Sequence, residues 1–339
     1  MALDRGVKKL QIKKITRYIL RKSIRLFSIL LAVSICSFLA VSYSPIDPVQ
    51  SYIGADMTQL GPEQREKIAE YWGLNEPKIK QFIKWGSRVL TGDLGISLIY
   101  RAPVSQIIWE RFMLSAVLLF LSWIFSGLFG FALGILAGIK QHSWIDQIVK
   151  GYCFLLASTP VFWFGLIMLI IFSVWLGWFP IGLGTPVGIF TEDVTFFDRL
   201  KHLFLPALTL SITGLGNVAL HTRQKVVEVN ELEFIRYAKA KGETGFVLLR
   251  RHGLRNIILP AVSLHFASFG ELFGGTVIVE QIFSYPGLGR TIVQAGLGGD
   301  VPLLMGFVLF STIFVFIGNL IAGVIYDVVD PRLRKESFG

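Results

Sequence analysis

Two carboxylates, Glu271 and Glu280, interrupt the otherwise apolar run Ile257–Phe283, which also carries His265. An ionised acid at the centre of a bilayer costs about 2.5–3.5 kcal/mol on insertion scales. Such residues must therefore hydrogen-bond inside a helix bundle, line a water-filled path or meet a second subunit. Lying nine residues apart, the two are expected on approximately the same side of a helix. Glu280, near the end of the run, fits structural hydrogen bonding, and Glu271, nearer its middle, is the candidate for touching a path. Asn217 and Asn319, in other apolar runs, suit hydrogen bonds between helices. Catalysis would need more than this, and no cluster of His, Asp, Ser or Cys falls at one depth. The five histidines (142, 202, 221, 252 and 265) are scattered, and neither HExxH nor a paired-Cys spacing occurs, so no metal and no other cofactor is expected. Cys36 and Cys153 both fall in apolar runs, where packing rather than a disulfide is the expected role. No GxxxxGK[ST] phosphate loop occurs, so the chain is expected neither to bind nor to hydrolyse ATP and is read as a non-enzyme.

The densest charge lies in "NELEFIRYAKAKGETGFVLLRRHGLRNIILP", Asn230–Pro260, with Arg236, Lys239, Lys241, Arg250, Arg251 and Arg255. The pattern predicts two short helices. Asn230 would cap the first, with Glu233 completing a box-like arrangement. The acids Glu231 and Glu233 suit its positive end and Lys239 and Lys241 its negative end. Gly242 is the expected stop, because glycine enters the left-handed cap without penalty. Thr244 would cap "GFVLLRRH", with Gly253 closing it. A charged helix–Gly–helix element of this kind is suited to docking against a partner protein.

The elements that must position these residues are set by the apolar runs. Of 339 residues, 53% are hydrophobic and 17% charged, against about 25% charge in an ordinary soluble domain. Six runs approach the ~20 residues that cross a bilayer. They give spans at 26–46, 112–139, 152–178, 203–220, 257–283 and 301–326. The long run Gly151–Thr191 is counted once, because "WLGWFPIGLGTP" reads as an interfacial aromatic belt and a loop. With the N-terminus inside, the cytoplasmic side carries 22 Lys and Arg and the external side 10, Arg111 falling at a boundary. Both termini are then cytoplasmic by the positive-inside rule. Residues 1–25 form a basic flank meeting anionic lipid headgroups, read as a retained anchor rather than a cleaved signal. Residues 327–339 form a cytoplasmic tail, and 221–256 a cytoplasmic loop. The external segment 47–111 is expected to hold helices in "GPEQREKIAEYWGL" and "PKIKQFIKWGSRVL", the second with Ile79, Phe82, Ile83 and Leu90 roughly on one side. Gly130, Gly134 and Gly138, and likewise Gly270 and Gly274, form ladders of small residues for close helix packing, within the chain or between chains. The net charge of +10 is carried by loops and flanks, so nucleic acid is not an expected partner.

"RYAKAKG" followed by "VLLRRHGLRNIILP" resembles the cytoplasmic loop of ABC importer permeases, in the long form of the dipeptide/oligopeptide and nickel uptake systems. Further stretches resembling that family occur in order: "GLNEP" and "GDLGIS", "STPVFWFGL", "LGWFPIG", "LPALTL", "VIVEQIFSYPGLG" and "DPRLR". Where the family has two arginines three apart at the end of the fourth span, this chain has Leu220 and Arg223. The resemblance implies an all-α integral membrane protein with six transmembrane helices, the type I importer permease fold, and a small helical external segment. It implies half of a translocation pathway for di- or oligopeptides or similar solutes, with nickel or a metal chelate as the alternative cargo. The implied partners are a second homologous permease forming a heterodimer, ATP-binding cassette ATPase subunits, an external solute-binding protein and membrane lipid. The ATPase-docking loop would comprise Ala238, Lys241, Gly242, Glu243, Thr244, Arg250, Arg251 and Pro260. An ion-coupled secondary transporter using Glu271 or Glu280 is the competing class, though no inverted repeat is evident.

Overall fold

The structure is a computed structural model that describes residues 2–43, 76–188 and 192–329. The expected helix at 61–74, Pro45–Asp47 and the tail from 330 lie outside the described residues. Twelve helices are described: α1 (Ala2–Ser42), α2 (Lys78–Leu90), α3 (Val104–Ile139), α4 (Trp144–Ser158), α5 (Val161–Leu169), α6 (Phe196–Asn230), α7 (Glu233–Ala240), α8 (Gly245–Leu248), α9 (Leu254–Ala267), α10 (Phe269–Ile282), α11 (Leu288–Leu297) and α12 (Val301–Val329). Wide π turns at Ile170–Trp175 and Leu249–Gly253 extend α5 and join α8 to α9.

By length and composition α1, α3, α6 and α12 could each cross a membrane, and two bent pairs could do so if each is one span. The first pair, α4 with α5, turns by 105° at Thr159–Pro160. The residue before a proline is driven out of the helical region, and Thr159 is extended, with ψ 123°. The span expected at 152–178 is therefore broken into two helices at Thr159–Pro160. The second pair, joined at Ser268, bends by 48°. Pro206 and Pro260 lie within helices that continue past them.

Several helices begin earlier, or run on further, than the apolar runs suggest. The basic flank is part of α1 itself, α3 begins at Val104 rather than at 112, and α6 runs from Phe196 to Asn230 rather than over 203–220. The start of α6 is fixed by a capping box, in which the Thr195 hydroxyl and the Asp198 side chain each accept from the other residue's backbone N–H. Its far end continues because Val226 and Val229 are buried, at 0% and 3% exposure. The stretch between the fifth and sixth apolar runs contains α11.

Two compact units are formed. Of the described residues, those up to Met113 together with Thr291–Phe316 form one, and those of Leu114–Arg290 and from Ile317 form the other. In the first, Phe112 meets Phe310 and Phe314 edge-on at 4.9 and 5.0 Å. There the buried Asp300 carboxylate accepts from the Ser97 hydroxyl (2.5 Å) and the Ile99 amide (3.1 Å), and it caps α12 through the Leu303 amide (3.1 Å). In the second, α6 is the best buried helix. Cβ atoms added at Gly130, Gly134 and Gly138 would fall 2.8 Å from Val218, 2.5 Å from the Ala219 carbonyl and 2.5 Å from Val226. This glycine ladder thus serves packing of α3 on α6 within the chain, whereas a Cβ at Gly274 would meet nothing. Trp123 and His265 clasp α3 to α9, their rings stacked at 4.5 Å. Cys153 is buried in a cluster with Ala137, Val149 and Ala219, while Cys36 is exposed.

Candidate functional site

The Asn230–Pro260 stretch folds as a short helix, a glycine turn and a second helical segment, with three departures from expectation. Asn230 is the last residue of α6 and not the cap of α7. Leu232 takes that place, without a side-chain hydrogen bond. Thr244 is extended ahead of α8, as a cap residue would be, but its side chain makes no capping bond. Gly253 closes nothing, because the π turn carries the chain into α9. It is buried, and a Cβ there would come within 2.9 Å of Leu249 and 3.2 Å of Val229, so glycine permits close packing. Gly242 does act as the stop. Its φ is +89°, its amide donates to the Lys239 carbonyl (2.9 Å), and the Glu243 amide donates to Ala238 (3.2 Å). That pair of bonds is the Schellman arrangement, which satisfies orphan carbonyls at a helix end.

The element is amphipathic, and its apolar side is already used. Ile235, Ala238, Leu248 and Leu249 are buried in one cluster with Val226 and Val229 of α6, Ile135 of α3 and Ile257 of α9. A second tie lies close by in the chain, at Arg223. Its Nε and Nη2 donate to the two carboxylate oxygens of Asp146 at 2.5 and 2.7 Å. Asp146 is fully buried, also accepts from the His142 amide (3.0 Å), and has Lys150 Nζ at 3.7 Å. The segment 140–150 is thus clamped to α6 by a bidentate charged pair. Arg223 was visible in the sequence, whereas its partner, 77 positions away, was not.

The opposite side of the element is open. Leu232, Phe234, Tyr237, Phe246 and Val247 are exposed, Phe246 at 56% and Val247 at 59%. Around them Arg236, Lys239, Lys241, Arg250 and Arg251 are exposed as well. Lys241 Nζ lies 4.6 Å above the Tyr237 ring. Arg251 donates to Glu243 at 3.0 Å, and His252 Nε2 lies 3.1 Å from the other carboxylate oxygen. Burial pushes the Glu243 carboxyl up, but the bonds and charges of Arg251 and His252 outweigh it and hold it below the ordinary carboxylate range. Ala238 is buried, Thr244 is exposed, and Pro260 sits half-buried within α9, outside the exposed face.

The two carboxylates of α10 do not share a side. Nine residues at about 100° each is two and a half turns, so they point in opposite directions. Glu271 is exposed and Glu280 is fully buried. Glu280 accepts from the Ser115 hydroxyl (2.5 Å) and from the amides of Gly289 (2.7 Å) and Arg290 (3.2 Å), and the Leu288 amide donates to Ser115 (2.7 Å). Its carboxyl oxygens thus cap the first turn of α11, whose leading amides have no partner within the helix. A Cβ at Gly287 would collide with the carboxylate, so that glycine is what lets the loop close over it. Asn217 and Asn319 are exposed and make no hydrogen bond between helices, contrary to expectation. Among the described residues no group of three His, Cys, Asp or Glu side chains gathers to hold a metal ion.

Comparison with known proteins adds to this geometry. Residues 130–335 match the family described as "Binding-protein-dependent transport system inner membrane component", and residues 15–119 match its N-terminal companion. The oligopeptide transport system permease protein AppB of Bacillus subtilis (strain 168) is 35% identical over 320 residues, covering 94% of this chain and 99% of that protein. The glutathione transport system permease proteins GsiC of Escherichia coli O6:H1 and of Salmonella paratyphi A are 33% and 35% identical, each alignment covering 94% of this chain and 99% of the relative. Among the described residues the regular elements are helices, four of them long and apolar enough to cross a membrane. The chain belongs to the binding-protein-dependent transport system inner membrane components, the multi-pass permease subunits of bacterial ABC importers.

Proposed function

We propose that this permease carries peptides, with the exposed face of Glu233–Gly253 as the seat of its ATPase subunits. The observation that carries the docking assignment is the two-sided character of that element. One side is locked into the α3, α6 and α9 core, while the other presents aromatic and aliphatic side chains ringed by cations. Aromatics and arginine beside open apolar surface are the residues that dominate protein interfaces. Peptide is favoured as cargo because the relatives named above transport oligopeptides or glutathione, and none of the three is named for a metal.

On this reading each bent pair crosses the membrane once, giving six spans with both termini cytoplasmic. ATP is hydrolysed on the separate subunits. Their closure pushes on α7 and α8, and the packed cluster and the Asp146–Arg223 clamp pass the push to α6, α9 and α4 as rigid bodies, because packed cores shift between discrete arrangements rather than deform. Glu271 and Asn217, exposed on α10 and α6, face the water path or the seam with a second, homologous permease. Solute arrives from an external binding protein.

The test is reconstitution of the complete transporter with Phe246→Glu and Val247→Glu together. Both side chains are more than half exposed, so the chain should insert and fold normally. Peptide-stimulated ATP hydrolysis should be lost together with transport. Unchanged hydrolysis would remove the docking assignment, and uptake that survives ATP depletion but not collapse of the ion gradient would remove the ATP-driven reading.

A further inference from the structure

Helix α2 carries a surface that the transport cycle described above does not use. Its wheel has three sectors. Phe82, Trp85 and Val89 form one, half-buried, with the Phe82 ring set edge-on to Phe38 of α1 at 5.1 Å and beside Trp85 at 5.8 Å. Ile79, Ile83 and Leu90 form the adjoining sector and are exposed at 76%, 63% and 88%. Lys80, Lys84 and Arg88 occupy the remaining side, and Lys78 stands at the helix start. Glu76, just before the helix, holds Lys84 at 2.6 Å and Lys80 at 3.4 Å and, among the described residues, is the acid paired with this cationic side.

We propose that α2 lies flat in the lipid interface, with the Ile79/Ile83/Leu90 stripe against the acyl boundary and its cations at the level of anionic phosphates. Three observations support lipid as the occupant. Phe38 lies two residues before Ala40, where the apolar window of α1 ends, so the Phe38–Phe82 contact pins α2 at the depth where α1 leaves the hydrocarbon. The apolar arc is wider than the face that packs on α1, and its unpacked half is purely aliphatic. The polar side is strongly cationic. A strong apolar face opposite Lys and Arg marks helices that lie in the membrane plane, and anionic headgroups attract such cations near the surface. Tethering to α1 removes the entropy cost that a free helix of 13 residues would meet.

The experiment uses the full-length chain with Cys36→Ala and Cys153→Ala, reconstituted in nanodiscs of phosphatidylethanolamine and phosphatidylglycerol. Spin labels are placed at Ile83→Cys, Ile79→Cys and, on the cationic side, Arg88→Cys. Collision with oxygen, which concentrates in lipid, is compared with collision with a water-soluble nickel chelate. The oxygen-to-chelate ratio should be several-fold higher at 79 and 83 than at 88, and should fall when phosphatidylglycerol is replaced by phosphatidylcholine. Equal ratios at all three positions would place the stripe in water and overturn the proposal. Protection of 79 and 83 from both reagents would overturn it too, since protein would then cover the stripe.

Discussion

Replacing Asp146 with alanine isolates the clamp that mounts the docking element. The Asp146 side chain is wholly buried and the Arg223 side chain keeps 18% of its exposure. Removing one partner of a buried ion pair costs about 3–5 kcal/mol, mainly because the other charge is left uncompensated. Water can still reach part of the guanidinium, which places the expected loss near the lower end, at about 3 kcal/mol. At about 2.1 cal/mol/K of unfolding entropy per residue, 339 residues give about 1.4 °C per kcal/mol, so the apparent midpoint of thermal unfolding in detergent should fall by about 4 °C. Lys150 adds to the cost, because its ammonium also loses the carboxylate 3.7 Å away. Asp146→Ala with Arg223→Met should recover much of the loss, since no guanidinium is then left unpaired, and the two substitutions should be strongly non-additive. A single variant as stable as the wild type, or a double variant whose loss equals the sum of the two singles, would refute the clamp.

Further outcomes follow from the same geometry. Leu249→Ala opens a cavity in the cluster under the docking face, where Leu249 is 1% exposed; it should cost about 2–5 kcal/mol and reduce recovery of the ATPase subunits on affinity purification of the permease. Gly242→Val meets no neighbour within 4 Å but must hold φ at +89°, so the expected loss is backbone strain of about 1–2 kcal/mol, with Gly242→Asn milder in the same melting assay. Glu280→Ala leaves the Gly289 and Arg290 amides and the Ser115 hydroxyl without their acceptor, at about 1–3 kcal/mol per buried unsatisfied group, and should speed amide exchange in the first turn of α11. The folded-state value of Glu243 is depressed, so its contribution is present above the ordinary carboxylate range and is lost as pH falls through the folded value. Melting curves of wild type and Glu243→Gln should therefore converge on acidification, by a small amount because the group is near solvent.

Legibility in the sequence followed the range of the interactions. Gly242 was readable because a left-handed cap is a local demand, and the apolar runs were readable because membrane-length hydrophobicity is additive along the chain. Asn230 misled because its capping chemistry is local, whereas α6 continues on account of Val226 and Val229, which are buried against Ile135 and Ile257 from distant segments. Gly253 misled for the related reason that a glycine needed for close approach to Val229 reads as one needed for a turn. Helix α11 has no cap signal at its own start, because the acceptor for its first amides is the Glu280 carboxyl on the preceding helix. Asp146 lacked any signal near it that could point to Arg223. The shared-side reading of Glu271 and Glu280 failed on helical period alone, which the exposed and buried positions of the two make plain.

The central claim is that the open face of Glu233–Gly253 seats the ATPase subunits. Site-specific photocrosslinking in the assembled transporter tests it most directly, with a photoreactive phenylalanine analogue at Phe246 and, as the control, at Leu297 on α11, which is 78% exposed. A crosslink from position 246 to an ATPase subunit is expected, lost with Phe234→Glu and Tyr237→Glu on the same face, and no ATPase crosslink from 297. Crosslinks from 246 to lipid or to the external binding protein, with the ATPase untouched, would contradict it.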